Sequence, residues 1–187
     1  PPRVHADDGR RAYGVSRGLG DVYQRQILSK VISIFKKEKI DTINSLYFTP
    51  ELSLGKGVHT KLKPNSDDAK DINKSILTLS SLNSYSFSQG AVARDGKIIA
   101  IEGHGGTKKM LKDIKQEKKL LKGVLVKLPK KKQDLRIDLP TIGLKTLLEC
   151  KKAGLKGIAL KKMQNVCLDR KELIEFANKN KMFITVK

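Results

Sequence analysis

The densest grouping of chemically capable side chains in this sequence is the run Gln133-Asp134-Leu135-Arg136-Ile137-Asp138-Leu139-Pro140-Thr141-Ile142-Gly143. If residues 134 to 139 are extended, successive side chains alternate between two faces. Leu135, Ile137 and Leu139 then turn to a core, while Asp134, Arg136 and Asp138 project together from the other side. Two carboxylates so spaced can share a hard cation, and magnesium suits few carboxylates supplemented by phosphate oxygens. The arginine between them can grip a phosphoryl oxygen through two parallel hydrogen bonds. Pro140-Thr141 reads as the opening of a helix, whose free N–H groups and positive dipole end would seat a phosphate. Lys127, at the end of the preceding strand, adds positive charge. The plainer alternative is an amphipathic strand with an exposed acid–base–acid ladder.

Glu102-Gly103-His104-Gly105-Gly106-Thr107 is the second candidate. Its glycines allow a backbone to approach a ligand closely, and Thr107 is placed to cap the helix that follows. A simple strand-to-helix loop would read the same way. It is not a P-loop, because the spacing and the terminal Lys-Ser/Thr are missing. The histidines His5, His59 and His104 share no ligand spacing, and no Cys/His cluster supports zinc. No Gly-x-Ser-x-Gly elbow supports a serine nucleophile.

These residues need a packed frame. With 39% hydrophobic residues the chain can build one, mainly from Ile, Leu and Val, since there is no Trp and aromatics make up only 5%. Cys150 and Cys167 lie in apolar segments without a CxxC spacing and read as buried, reduced thiols of a reducing compartment. No apolar run reaches the ~18 residues of a membrane span. The net charge of +20 rests on lysine clusters such as Lys36-Lys37, Lys108-Lys109 and Lys130 to Lys132. It reads either as a solvated surface or as attraction to a polyanion: a phosphorylated ligand, an acidic membrane surface or nucleic acid. No recognised nucleic-acid module is present.

Residues 1 to 20 differ from the rest, holding arginine without lysine and glycines at 9, 14, 18 and 20. They read as an atypical, disordered leader. Helices are expected over 21–39, 65–82, 107–121, 141–153 and 170–180. Strands are expected near 42–48, 90–94, 97–102, 124–128, 135–139, 157–160, 165–168 and 183–186. The Asp95-Gly96 pair between apolar runs predicts a hairpin. This alternation defines a layered α/β fold.

The runs Gly90 to Glu102, Val124 to Pro129 and Gln133 to Gly143 resemble the C-terminal domain of the two-domain UDP-2,3-diacylglucosamine pyrophosphatases of lipid A synthesis in Gram-negative bacteria. The segment from Leu168 to Phe183 resembles that family's C-terminus. Residues 20 to 60 resemble the end of its N-terminal domain, so the likeness spans residues 20 to 187. It implies the incomplete remainder of a Rossmann-like N-terminal domain at 21–65, a connecting helix and linker at 66–85, and a catalytic-type α/β domain at 86–187. It implies hydrolysis of UDP-2,3-diacylglucosamine to lipid X and UMP with Mg²⁺ or another divalent cation, in a chamber between the two domains. Asp138 becomes the acid for catalysis or metal binding, seconded by Asp134. Arg136, Lys127, Thr141, Gly143, Gln133 and Thr107 form the expected substrate- and phosphate-binding set. The expected setting is the cytoplasm, with peripheral contact at the inner membrane surface; nucleic acid is not an expected partner, and homodimerisation stays open. Two departures stand out: the family's opening strand and glycine turn are missing, and Gly105 and Lys108 stand where the family carries acids. The alternatives are a ligand-binding remnant without turnover and a basic nucleic-acid-binding protein.

Overall fold

The computed structural model describes residues 26–82, 88–114, 121–130 and 133–187. The leader expected at residues 1–20 and most of the junction at 83–88 lie outside the described residues. The chain divides into two units, Pro1–Ile43 and Asn44–Lys187. In the first, residues 26–37 form helix α1, along which Ile27, Val31, Ile34 and Phe35 recur at helical spacing as an exposed apolar stripe.

The second unit is built on a mixed six-stranded sheet. Its strands are β1 (Gly57–Val58), β2 (Gly90–Arg94), β3 (Lys97–Ile101), β4 (Val124–Lys127), β6 (Gly157–Leu160) and β8 (Phe183–Val186), ordered β1-β8-β6-β4-β2-β3. The centre, β4-β6-β8, is parallel, and β1, β2 and β3 join antiparallel. Between β4 and β6 runs β5 (Thr141–Ile142), which pairs in parallel with β7 (Val166–Cys167) as a separate ribbon. Helices α2 (Ser66–Ser81), α3 (Gly106–Asp113), α4 (Leu144–Lys152) and α5 (Arg170–Lys179) complete the unit.

The central strands are apolar on both faces, as buried parallel strands must be. Val124, Val126, Ala159 and Phe183 meet Ile72 and Leu79 of α2 on one side. Leu125, Ile158, Leu160 and Ile184 meet Met110, Leu147, Cys150 and Leu173 of α3, α4 and α5 on the other. The result is three layers. Gly157 is opposite Phe183, whose ring would lie 2.5 Å from any Cβ at 157, so the ring occupies the space a side chain would need.

Helix α2 is integral to this domain, although its sequence reads as a connector. Asn65 and Asp68 form a reciprocal capping box at its start. The Asp68 carboxylate also holds Lys156 at 2.6 Å, and Asp71 accepts the Gly96 N–H at 2.7 Å. These bonds clamp the β2–β3 hairpin and the approach to β6 onto one helix. Likewise β1, from the stretch read as the remainder of an earlier domain, is an edge strand of this same sheet.

Three expected elements are corrected. Residues 42–48 form no strand: the Asn44 side chain accepts the Leu46 N–H at 2.9 Å and closes a 3₁₀ turn, Ser45–Tyr47. Residues 135–139 also form no strand. The Asp134 carbonyl accepts the N–H groups of Ile137 and Asp138 at 3.2 and 2.9 Å, and its carboxylate takes the Arg136 N–H at 3.1 Å. Local Asp-to-backbone bonds here outcompete extension. Thr141 does not open a helix either; it lies in β5, and α4 starts at Leu144 after Gly143. The helix expected over 107–121 is α3, which ends at Asp113; residues 115–120 lie outside the described residues.

Candidate active site

Open α/β sheets bind ligands beyond the carboxyl ends of their parallel strands. Here that edge is formed by Lys127, the residues after Leu160, and the antiparallel neighbours Gln89 and Glu102. Lys127 ends β4 and is only 7% exposed. Its Nζ donates to the Thr141 carbonyl at 3.2 Å, tying β4 to β5. Asn165 donates from Nδ2 to the Lys127 carbonyl at 3.3 Å and accepts the Lys161 N–H at 3.2 Å, so the ends of β4 and β6 are bridged by one buried amide.

Glu102 is equally buried at 7% exposure. Its carboxylate accepts the Thr107 hydroxyl at 3.0 Å and also a bond from the Thr107 backbone N–H, so it caps the start of α3. Thr107 is therefore not the cap; Gly105 occupies that position without a side-chain bond. Burial pushes the Glu102 carboxyl up, against the opposing pull of Lys127, the Thr107 bond and Lys130. Burial likewise pushes the Lys127 ammonium down, against Glu102 and Cys150. The Cys150 thiol is pushed up to about 12 by burial and Cys167 to about 11, so both free cysteines are neutral and inert at neutral pH.

Gln133 Oε1 accepts from Gln89 Nε2 at 3.0 Å and from the Lys130 N–H at 2.8 Å, while the Leu128 N–H donates to the Gln89 carbonyl at 2.7 Å. The loop after β4 is thus held to the strand ahead of β2. Among the described residues, Gln133 Nε2 is buried without a partner. A cleft of about 270 Å³ opens beside it, lined by Leu79, Leu128, Lys130, Lys161 and Gln164.

Of the expected set, Thr107 bonds Glu102 and Lys127 acts on the same carboxylate, Thr141 meets Lys127 through its backbone carbonyl, and Gln133 bonds Gln89. Gly143 sits extended at the N-cap of α4, where its carbonyl accepts the Thr146 N–H at 2.9 Å. The free first-turn N–H groups of that helix therefore begin at Leu144, not Thr141. Asp134 and Arg136 form an ion pair at 2.6 Å. The Arg136 bonds hold the Asp134 carboxyl below the usual carboxylate range. Among the described residues no three His, Cys, Asp or Glu side chains cluster as a ligand set.

Sequence reasoning gave Glu102 no role of its own within the second candidate run, and it overlooked Gln89 and Asn165. Only Glu102 carried a signal, standing at the head of the glycine-rich exit.

The fold and this edge define a layered α/β domain with a buried acid and a buried lysine at the carboxyl end of its parallel strands. Residues 55–185 match the family model described as the LpxI C-terminal domain, and the chain belongs to that family. Over 167 residues it is 30% identical to the UDP-2,3-diacylglucosamine pyrophosphatase LpxI of Caulobacter vibrioides, which aligns with 84% of this chain. The chain spans 59% of that relative's length. The family resemblance read from the sequence is borne out.

Proposed function

We propose that this chain carries the phosphate-handling part of a hydrolase that cleaves the pyrophosphate bond of UDP-2,3-diacylglucosamine, giving UMP and lipid X in lipid A synthesis. What supports this most is the family membership of residues 55–185, taken with the activity for which the Caulobacter relative is named. The geometry agrees with it. Lys127 offers a desolvated ammonium, which acts more strongly on a phosphate than the same charge in water. The first-turn N–H groups of α4 offer a second anion seat nearby in the chain. Asp138 would hold a divalent cation jointly with the substrate's phosphates; bound there, the cation would offset charge developing on the pyrophosphate. A lysine-rich surface suits an anionic inner leaflet on the cytoplasmic side, where a diacylated substrate resides. Among the described residues no helix is long and apolar enough to cross a membrane.

A second reading, ligand binding without turnover, draws on α3, whose first turn carries no acid. One assay separates the two. The purified chain is given UDP-2,3-diacylglucosamine with Mg²⁺, then with chelator, and UMP release is followed. Mg²⁺-dependent release supports the enzyme. UMP binding by calorimetry with no release supports the second reading and overturns the first.

A further inference from the structure

Glu102, Gly90 and Lys127 form one row across three strands. Gly90 is opposite Lys127 in β4, and its carbonyl accepts the Glu102 N–H at 2.8 Å. Partners across a ladder point to the same face, and this face is the one covered by α3 and α4. Neighbouring strands lie ~4.8 Å apart, so the outer two residues of the row are separated by a single strand. That strand contributes no side chain. A Cβ at position 90 would sit 2.8 Å from Glu102 Oε2, which means the carboxylate occupies the space above the glycine and leans toward Lys127.

We propose that Glu102 is a positioning residue for Lys127: its carboxylate, lying over the Gly90 gap in the same row, keeps a charged ammonium at the carboxyl edge of the sheet, where a substrate phosphate would meet it. This deepens the phosphate-handling role proposed for that edge and rests on it. A lysine so deeply buried loses its proton readily when no opposite charge is near. The charged and titratable groups acting on it are Glu102 from β3 and Cys150 from α4, and the thiol is neutral at neutral pH. Glu102 in turn faces Lys127, Lys130 beyond β4, and Thr107 of α3. The glycine gap leaves no side chain of β2 between acid and base.

The test uses the whole chain with ¹³C-labelled lysine, following the Lys127 side-chain resonance through a pH titration, with Lys127→Arg to assign it. In Glu102→Gln the Lys127 midpoint should fall by about one unit or more, the size expected on losing an opposite charge. Glu102→Asp, which keeps the charge on a shorter stem, should show a smaller fall, and it serves as the reporter should Glu102→Gln not fold. An unchanged midpoint in the folded variant overturns the proposal. In the hydrolysis assay, Glu102→Gln should draw the alkaline limb of kcat/KM to lower pH by the same interval; an unmoved limb also counts against it. A wild-type chain with no turnover would defeat the hydrolase reading alone, because the lysine titration still decides the role of Glu102.

Discussion

The Arg136 guanidinium grips both oxygens of the Asp134 carboxylate, Nε at 2.9 Å from Oδ1 and Nη2 at 2.6 Å from Oδ2. The same carboxylate takes the Arg136 backbone N–H at 3.1 Å, so the pair closes the turn that leads to Asp138.

That pair makes the turn acid-sensitive in a defined direction. The folded carboxyl of Asp134 is depressed, chiefly by the Arg136 bonds. Its stabilising contribution is therefore present above the unfolded value of about 3.9 and is lost as pH falls through the folded one. Amide exchange at Arg136 and Asp138 should stay slow down to about pH 4 and quicken only below it. Quickening already near pH 6 would show that another group governs the turn.

Among the described residues Asp138 has no such side-chain partner, its backbone N–H bonding the Asp134 carbonyl at 2.9 Å. Asp138→Asn keeps the shape and removes the charge. Hydrolysis should drop by about a hundredfold or more, the size of losing an acid–base or metal-ligating group, with UMP affinity and far-ultraviolet dichroism unchanged. Turnover within a factor of about two of the parent would remove Asp138 from the machinery.

Gly90 offers a steric probe of the same edge. In Gly90→Ala the new methyl would meet Glu102 Oε2 at 2.8 Å, Met110 at 3.4 Å and Leu125 at 3.5 Å. Overpacking of this kind costs about 1–3 kcal/mol, and the displaced carboxylate should also lower turnover per folded molecule. Denaturant unfolding and a rate normalised to folded protein check both parts. An alanine variant with parental stability and rate would mean the slot has slack.

Lys156 tests the frame apart from the site. Its ammonium meets Asp68 at 2.6 Å, with side chains only 21% and 7% exposed. Lys156→Met strands a buried carboxylate, and breaking such a pair costs about 3 kcal/mol. Urea unfolding should show that loss while the rate per folded molecule holds. A midpoint unchanged in urea would assign the Asp68 charge to its capping bonds alone.

Much of the frame was legible in the residues. The apolar runs 124–128, 157–160 and 183–186 and the helical spacings of 66–81 and 170–179 became β4, β6, β8, α2 and α5. Lys127 was found because it closes an apolar run, where a cation has few places to go but a strand end. The errors lie where short polar side chains compete with the backbone. Alternation over 134–139 looked extended, and only the Asp134 bonds to Arg136, Ile137 and Asp138 turned it into a turn.

Glu102 shows the limit most clearly. Counting back from the Asp95-Gly96 turn sets Arg94 opposite Lys97 and Ala93 opposite Ile98, as observed, and would continue with Gly90 opposite Ile101. In the fold the register slips between Val92 and Ala93, leaving Ile99 without a partner and setting Ala91 opposite Ile101. One inserted residue moves every later side chain to the other face, so Glu102 lands beside Gly90 and on the side of Lys127. The sequence by itself determined that an acid, a glycine and a lysine would lie near the end of a sheet. That they share one face was decided by a bulge between Val92 and Ala93, a tertiary pairing that no local spacing of residues encodes.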